Sequence, residues 1–199
     1  MNSVQSWQIK NWEYLTQLAR NNTLPHALLL HGAKGMGLHT FAEIFSNWLL
    51  CASKPDSTPC GKCTSCQWML AGTHPDRLII TPDPSSIKVD AIREIRTFSE
   101  TKQHSAQYRV IIISPAEAMN KSASNALLKI LEEPFPNTIF LLIAHCVDHV
   151  LPTVLSRCQK IHFPSLKKDV FMAEIQQHYP SLNAETVGKL YDLSDGDAF

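Results

Sequence analysis

The sequence predicts an α/β fold: a parallel sheet covered by helices on both faces, followed by a small helical domain. Three observations predict it. Short, nearly unbroken apolar runs recur at ALLLH (27–31), RVIIIS (109–114) and TIFLLIA (138–144), the pattern of strands buried on both faces. Stretches with apolar residues three and four apart separate these runs, as amphipathic helices require. After Pro164 the strand pattern stops and only helical spacing remains.

Taken in order, Trp12, Leu15, Leu18 and Ala19 predict a leading helix over 9–20 that Asn21, Asn22 and Pro25 stop. The strand at 27–31 feeds a glycine loop, and a helix follows over 38–50. Residues 51–66 carry prolines, small polar residues and four cysteines, which reads as an inserted loop around a site, ending in a short helical piece at 67–71. A strand at 78–81, a helix at 89–99 and the strand at 109–114 repeat the alternation. Ala126, Leu127, Ile130 and Leu131 share one face of a helix over 121–132 that ends before Pro134. Strands at 138–144 and 159–163 complete about five. Helices at 170–177 and 184–192, separated by Tyr179, Pro180 and Ser181, begin the second domain.

Composition narrows the function classes. The 199 residues are 44% apolar and 18% charged, which excludes intrinsic disorder. Lys plus Arg equals Asp plus Glu at 18 each, so the basic excess of a protein gripping many phosphates by itself is absent. The N-terminus lacks the pattern of an export signal and no apolar run approaches a membrane span. The expectation is a cytoplasmic chain without a membrane partner, in which six cysteines mean metal binding or buried thiols rather than disulfides.

The loop HGAKGMGLHT, from His31 to Thr40, places Gly32 and Gly37 at the separation found in G-x-x-x-x-G-K-[ST] phosphate loops, between a strand and a helix. In such loops a lysine neutralises the β- and γ-phosphates and a hydroxyl holds Mg²⁺. Here those positions are Leu38 and His39. Leucine carries no charge, and imidazole is a poor ligand for Mg²⁺, which prefers oxygen. Thr40 is displaced by about 100° around the helix, and Lys34 lies on the wrong part of the loop. Gly32, Gly35 and Gly37 equally suit a tight strand-to-helix turn with no ligand. A second catalytic element is missing too: Ser114 and Pro115 stand where such ATPases carry an acidic pair.

Cys51, Cys60, Cys63 and Cys66 follow C-x8-C-x2-C-x2-C. Four thiolates so close in sequence can close a tetrahedral shell, and zinc is the default because it accepts four sulfurs; an iron–sulfur cluster is the alternative. Cys146 and Cys158 have no second cysteine at ligand spacing and are expected to be small buried side chains. His74, beside Pro75 and Asp76, is expected to be a structural hydrogen-bonding residue rather than a ligand. Trp7, Trp12, Trp48 and Trp68 are expected in the core or an interface.

The degenerate loop, the four-cysteine insert, GTHPD at 72–76, NALLKILEEP at 125–134 and SRC at 156–158 occur in one order. Over nearly the whole chain this resembles the delta-prime family of bacterial DNA polymerase III clamp loaders. LEEP and SRC are shared with the loaders' ATPase subunits; Leu38 and His39 favour delta-prime. The resemblance implies an AAA+ module over residues 1–165 with its zinc insert at 51–66, a helical lid beginning over 166–199, and a further collar domain. It implies partnership with tau/gamma-type ATPase subunits and with the clamp-opening delta subunit, in a complex that opens a sliding clamp and loads it on primed DNA. It makes the chain part of a DNA-directed DNA polymerase holoenzyme with no ATPase activity alone. It also implies that Arg157 of SRC reaches a neighbouring subunit's ATP as an arginine finger, where the residues alone favour a solvated surface arginine or an ion pair within the chain. Such fingers are worth about 10³ to 10⁵ in rate in GTPases. SDGDAF, residues 194–199, has no arginine where an active lid carries one. Two other readings stay open: an active ATPase using Lys34 or Thr40, and a zinc-stabilised DNA-binding module.

Overall fold

A strand that carries apolar side chains on both of its faces needs cover above and below, and this requirement organises the chain. The computed structural model describes residues 4–54, 58–104, 107–178 and 181–194. Five parallel strands, β1 (Ala27–Gly32), β2 (Arg77–Ile80), β3 (Arg109–Ile113), β4 (Thr138–Ala144) and β5 (Gln159–Phe163), form one sheet in the order β2-β3-β4-β1-β5. Strands β3 and β4 are buried at every residue, while edge strand β5 alternates. That is why its sequence reads as a weaker run.

Alternate residues divide the core in two. Leu28, Leu30, Val110, Ile112, Leu141 and Ile143 point to one face, where α1 (Ile9–Arg20) and α2 (Leu38–Leu50) cover them. Leu29, Ile111, Ile113, Phe140 and Leu142 point to the other. There the cover is α4 (Val89–Glu100), α5 (Lys121–Glu132) and the short α6 (Pro152–Leu155), α3 being Thr64–Leu70 in the cysteine insert. Trp12 stands edge-on to Phe41, Phe45 and Trp48 on the first face. Trp12 and Trp48 are thus core residues as expected, with Trp7 packed against them.

Two helices end the described chain, α7 (Lys168–His178) and α8 (Ala184–Ser194). Phe171, Ile175 and Val187 belong to the same apolar cluster as β1 and α2, so these helices continue the core of that face. Tyr179 and Pro180, where the sequence predicts the break between them, and residues 195–199 of SDGDAF lie outside the described residues.

The predicted elements are all present, with shifted ends. Strand β2 begins at Arg77, one residue early, and α4 and the last two helices run one or two residues further. The insert departs most: its helix α3 starts at Thr64, not at residue 67. The Cys63 sulfur accepts the Cys66 N–H as the N-cap, a role more often filled by oxygen. The helix therefore carries one of the candidate ligands itself. Cys158 is buried as expected, but Cys146 is exposed, contrary to the expectation. It falls just past the end of β4, where the chain leaves the sheet for the surface.

Candidate functional site

The insert gathers its cysteines by local geometry. Cys60 N–H donates to the Cys51 sulfur at 3.4 Å, Cys63 N–H to Cys60 at 3.4 Å, and Cys66 N–H to Cys63 at 3.5 Å. Each sulfur is thereby placed by the backbone of the next ligand. The four Sγ atoms all lie within 4.8 Å of one another, Cys60 and Cys66 at 3.9 Å, and none is in a disulfide. Four sulfurs about 2.3 Å from one tetrahedral ion sit about 3.8 Å apart, so the residues fit a single zinc-sized ion. An iron–sulfur cluster would spread the thiolates around several metal atoms, which suits this spacing less well.

The electrostatics agree with that fit. N–H groups of Lys62 and Cys63 pull the Cys60 thiol down to about 6. Burial opposes ionisation of Cys63, but the N–H groups of Ala52 and Cys66 hold it below the ordinary thiol range. Burial pushes Cys66 up. One sulfur ionises readily while another resists, a mismatch that a bound cation removes by stabilising every thiolate.

His74 stands outside this shell, as the sequence reading expects. It is buried, its Nε2 lies 2.7 Å from Ser65 Oγ, and its Nδ1 accepts the Asp76 N–H at 3.1 Å. Ser65 spends its hydrogen on Leu50 O at 2.6 Å. It must therefore accept from His74, which fixes the Nε2–H tautomer. Burial lowers the pKa of this imidazole and keeps it neutral. The chain Leu50–Ser65–His74–Asp76 ties the end of α2, the insert helix and the start of β2 together.

The glycine loop leaves the C-terminal end of β1, whose neighbours in the sheet are β4 and β5. Gly32 passes so close to β5 that a Cβ there would meet the Phe163 carbonyl oxygen at 2.3 Å. Gly35 lies in the turn, and Gly37 caps α2 with φ 70°, in the left-handed region. Leu38, the first helical residue, is 1% exposed and joins the core. His39 is exposed, 3.8 Å from Glu43 one turn later, and Lys34 is exposed as well. Thr40 looks the other way, into a cleft shared with Glu43, Asn47 and Met69 beside the insert.

Two residues near this loop escaped the sequence reading. Gln8, 1% exposed, donates from Nε2 to the carbonyls of Met36 at 2.8 Å and Gly37 at 3.3 Å. Glu117, just beyond Ser114 and Pro115, accepts the N–H groups of His145 at 2.9 Å and Cys146 at 3.2 Å through one oxygen. Each contact joins residues 28 or 29 apart, so no local pattern announces it.

Arg157 sits at the end of α6, away from the cysteine cluster. Its guanidinium reaches Glu132 Oε1 at 2.5 Å, the Thr153 carbonyl at 3.0 Å and Ser156 Oγ at 3.3 Å, with the side chain 35% exposed. The structure thus joins LEEP to SRC, and it leaves the thiolate shell, the glycine loop and Arg157 as three separate places. No helix among the described residues is long and apolar enough to cross a membrane.

Residues 7–167 match the family described as DNA polymerase III, delta subunit. The chain is 36% identical over 198 residues to DNA polymerase III subunit delta' of Pseudomonas aeruginosa, covering 98% of this chain and 60% of that protein. It is 33% identical over 159 residues to the subunit of the same name from Escherichia coli, covering 79% of this chain and 47% of that one. A tau/gamma subunit from Haemophilus influenzae is 34% identical over 160 residues, 80% of this chain and 22% of its own length. Among solved structures, a DNA polymerase III gamma subunit-related protein from Thermotoga maritima superposes with TM-score 0.61 at 20% identity, over 92% of this chain and 57% of that one. RuvB from the same organism superposes with TM-score 0.61 at 13% identity, over 98% of this chain and 58% of that one. These two share the fold, that of AAA+ proteins.

Proposed function

Since this chain belongs to the DNA polymerase III delta-prime family, we propose that it is the non-hydrolysing subunit of a replicative clamp loader. In this reading it acts as a scaffold and offers Arg157 to the ATP of a neighbouring subunit. The chain spans 60% or less of the delta' relatives described above, and the partners belong to the whole assembly. They are tau/gamma-type ATPase subunits, the delta subunit and, through the complex, the sliding clamp and primed DNA in the cytoplasm. Residues 1–165 form the nucleotide-binding-like domain, and 166–199 begin the lid.

One observation carries the reading: Leu38 is turned into the core at the position where a working loop presents its lysine. A side chain committed to apolar packing neutralises no phosphate, and backbone N–H groups alone give only a weak anion site. Ser114 and Pro115 supply no carboxylate. Glu117, just beyond them, already holds the backbone after β4. Thr40 facing the insert argues against its serving as the missing Mg²⁺ ligand. Residues Gly32, Gly35, Gly37, Leu38 and His39 therefore form a phosphate loop in backbone shape without the chemistry of one.

Cys51, Cys60, Cys63 and Cys66 would hold a structural Zn²⁺, whose charge would stabilise four thiolates and brace the insert against α2. It has no part in the ATP chemistry. Arg157 is surface-exposed and oriented by Glu132, the arrangement expected of a cation kept ready for a partner. The direct test is Mg-ATP hydrolysis by the purified full-length protein: absence of turnover supports the reading, and turnover that survives removal of contaminating ATPases overturns it.

A further inference from the structure

No cysteine of the shell and no residue of the SRC turn lines the cleft that Thr40 faces. It encloses about 270 Å³ between α2, the insert and Arg77, the first residue of β2. Sites for drug-sized molecules run from about 300 to 1,000 Å³, so this one suits a single side chain and its peptide group rather than a nucleotide. The insert side is apolar: Pro59 and Met69 are buried, while Leu70 at the rim is 60% exposed. The opposite side is polar and unfinished. Asn47 Oδ1 is buried without a hydrogen-bond partner among the described residues, and the half-buried Arg77 side chain makes no hydrogen bond or ion pair among them. Burial opposes the Arg77 charge and Glu43 supports it; one residue of each sign leaves the cleft neutral. Beside it runs a sheet edge. Strand β2 ends the strand order, no strand pairs with its outer side among the described residues, and Arg77, Leu78 and Ile79 are each only partly buried.

We propose that this cleft and the outer edge of β2 form a docking site for an extended, net-neutral peptide segment of a partner protein, which adds beside β2 and lodges one apolar side chain between Leu70 and α2. An edge strand offers unpaired N–H and C=O groups, and a strand laid along it gains main-chain hydrogen bonds while alternate side chains enter pockets on one face. Ile79 packs on the cluster that α1 and α2 cover, and Leu78 on the other. A side chain of the added strand on the α2 face therefore meets the cleft. The peptide group also brings what the polar side lacks: a carbonyl for the Arg77 guanidinium, and an N–H toward which the Asn47 amide can turn. The balance of Arg77 and Glu43 disfavours a phosphate, and a helix, its main chain bonded to itself, has nothing to give the edge of β2. Neither Arg157 nor the glycine loop takes part, so the site is independent of the function proposed above.

Random heptapeptides displayed on phage, panned against the full-length protein, test it. Selected sequences should carry an apolar residue in a segment without excess charge. Synthetic copies should bind about ten-fold more weakly to Leu70→Asp, the loss expected for one anchor of a small interface, and more weakly to Arg77→Gln. Leu70→Asp changes an exposed side chain and does not threaten folding, and an unchanged melting temperature verifies both variants. N-methylation at alternate residues should abolish binding in one register and spare it in the other, because only every second N–H of an added strand faces β2. The proposal is overturned if panning returns no sequence whose binding depends on Leu70, if the selected segments are acidic, or if binding survives N-methylation in both registers.

Discussion

Glu132 and Arg157, 25 residues apart in sequence, meet as an ion pair at 2.5 Å and so join the end of α5 to the end of α6. The pair is half open to solvent, with side-chain exposures of 51% and 35%, and exposed pairs contribute about 0 to 1 kcal/mol. Its value is therefore orientation rather than stability. Glu132→Gln should leave the unfolding free energy of the chain within about 1 kcal/mol of wild type in urea titrations, yet lower the activity of an assembled loader by misplacing Arg157. A large loss of stability would assign the pair to the core instead.

The cysteine shell predicts one zinc per chain by elemental analysis of protein purified without added metal. Cys66→Ser, which removes the buried ligand on α3, should abolish that stoichiometry. Chelation should lower the melting temperature and expose the insert to protease before the sheet opens. Iron in place of zinc, with visible absorbance, would favour the cluster reading. Serine at Cys146, exposed and remote in sequence from the shell, should change neither zinc content nor melting.

His74 provides a pH-dependent link. Burial lowers its pKa below the ordinary value of 6.5, so in acid the unfolded chain gains a proton that the folded chain refuses. Stability should accordingly fall as pH drops below about 6.5 toward the lowered folded value, and should be flat above it on account of this residue. His74→Ala should cost about 1 to 3 kcal/mol at neutral pH by stranding Ser65 and the Asp76 N–H, and should remove this part of the acid sensitivity. Chemical denaturation at several pH values measures both effects.

Leu38→Lys restores the residue that a phosphate loop requires, but at a buried position. It should destabilise the chain by several kcal/mol, because a core site must then accept a charge. It should produce no ATP turnover, since Ser114 and Pro115 still provide no acid. Turnover by this variant would show the site to be one residue from function.

The sheet was legible because parallel strands buried on both faces leave unbroken apolar runs, as at 109–113 and 138–144, and because Pro134 marks the end of α5 chemically. The cysteine shell was legible because its ligands are close in sequence and their spacing is itself the geometry. The start of α3 was not, because a sulfur caps it where a sequence reading looks for oxygen. Cys146 was misplaced because an apolar run gives no sign of where the chain turns outward. Gln8 and Glu117 were invisible for another reason: each acts across 28 or 29 residues on backbone atoms, which every residue possesses. Arg157 was found only through the resemblance, its ion pair with Glu132 being as ordinary in sequence as any other.

The central claim is that a chain with no ATPase chemistry of its own completes a neighbour's. It is tested most directly by the ATPase rate of a loader reconstituted from tau/gamma and delta subunits with the full-length form of this protein, wild type or Arg157→Ala. The account predicts that the protein alone shows no turnover, that Arg157→Ala assembles normally, and that the clamp- and DNA-stimulated rate then falls by the share of the one site that Arg157 completes, that site being slowed by about 10³-fold or more. An unchanged rate in a complex that has assembled fully would contradict it.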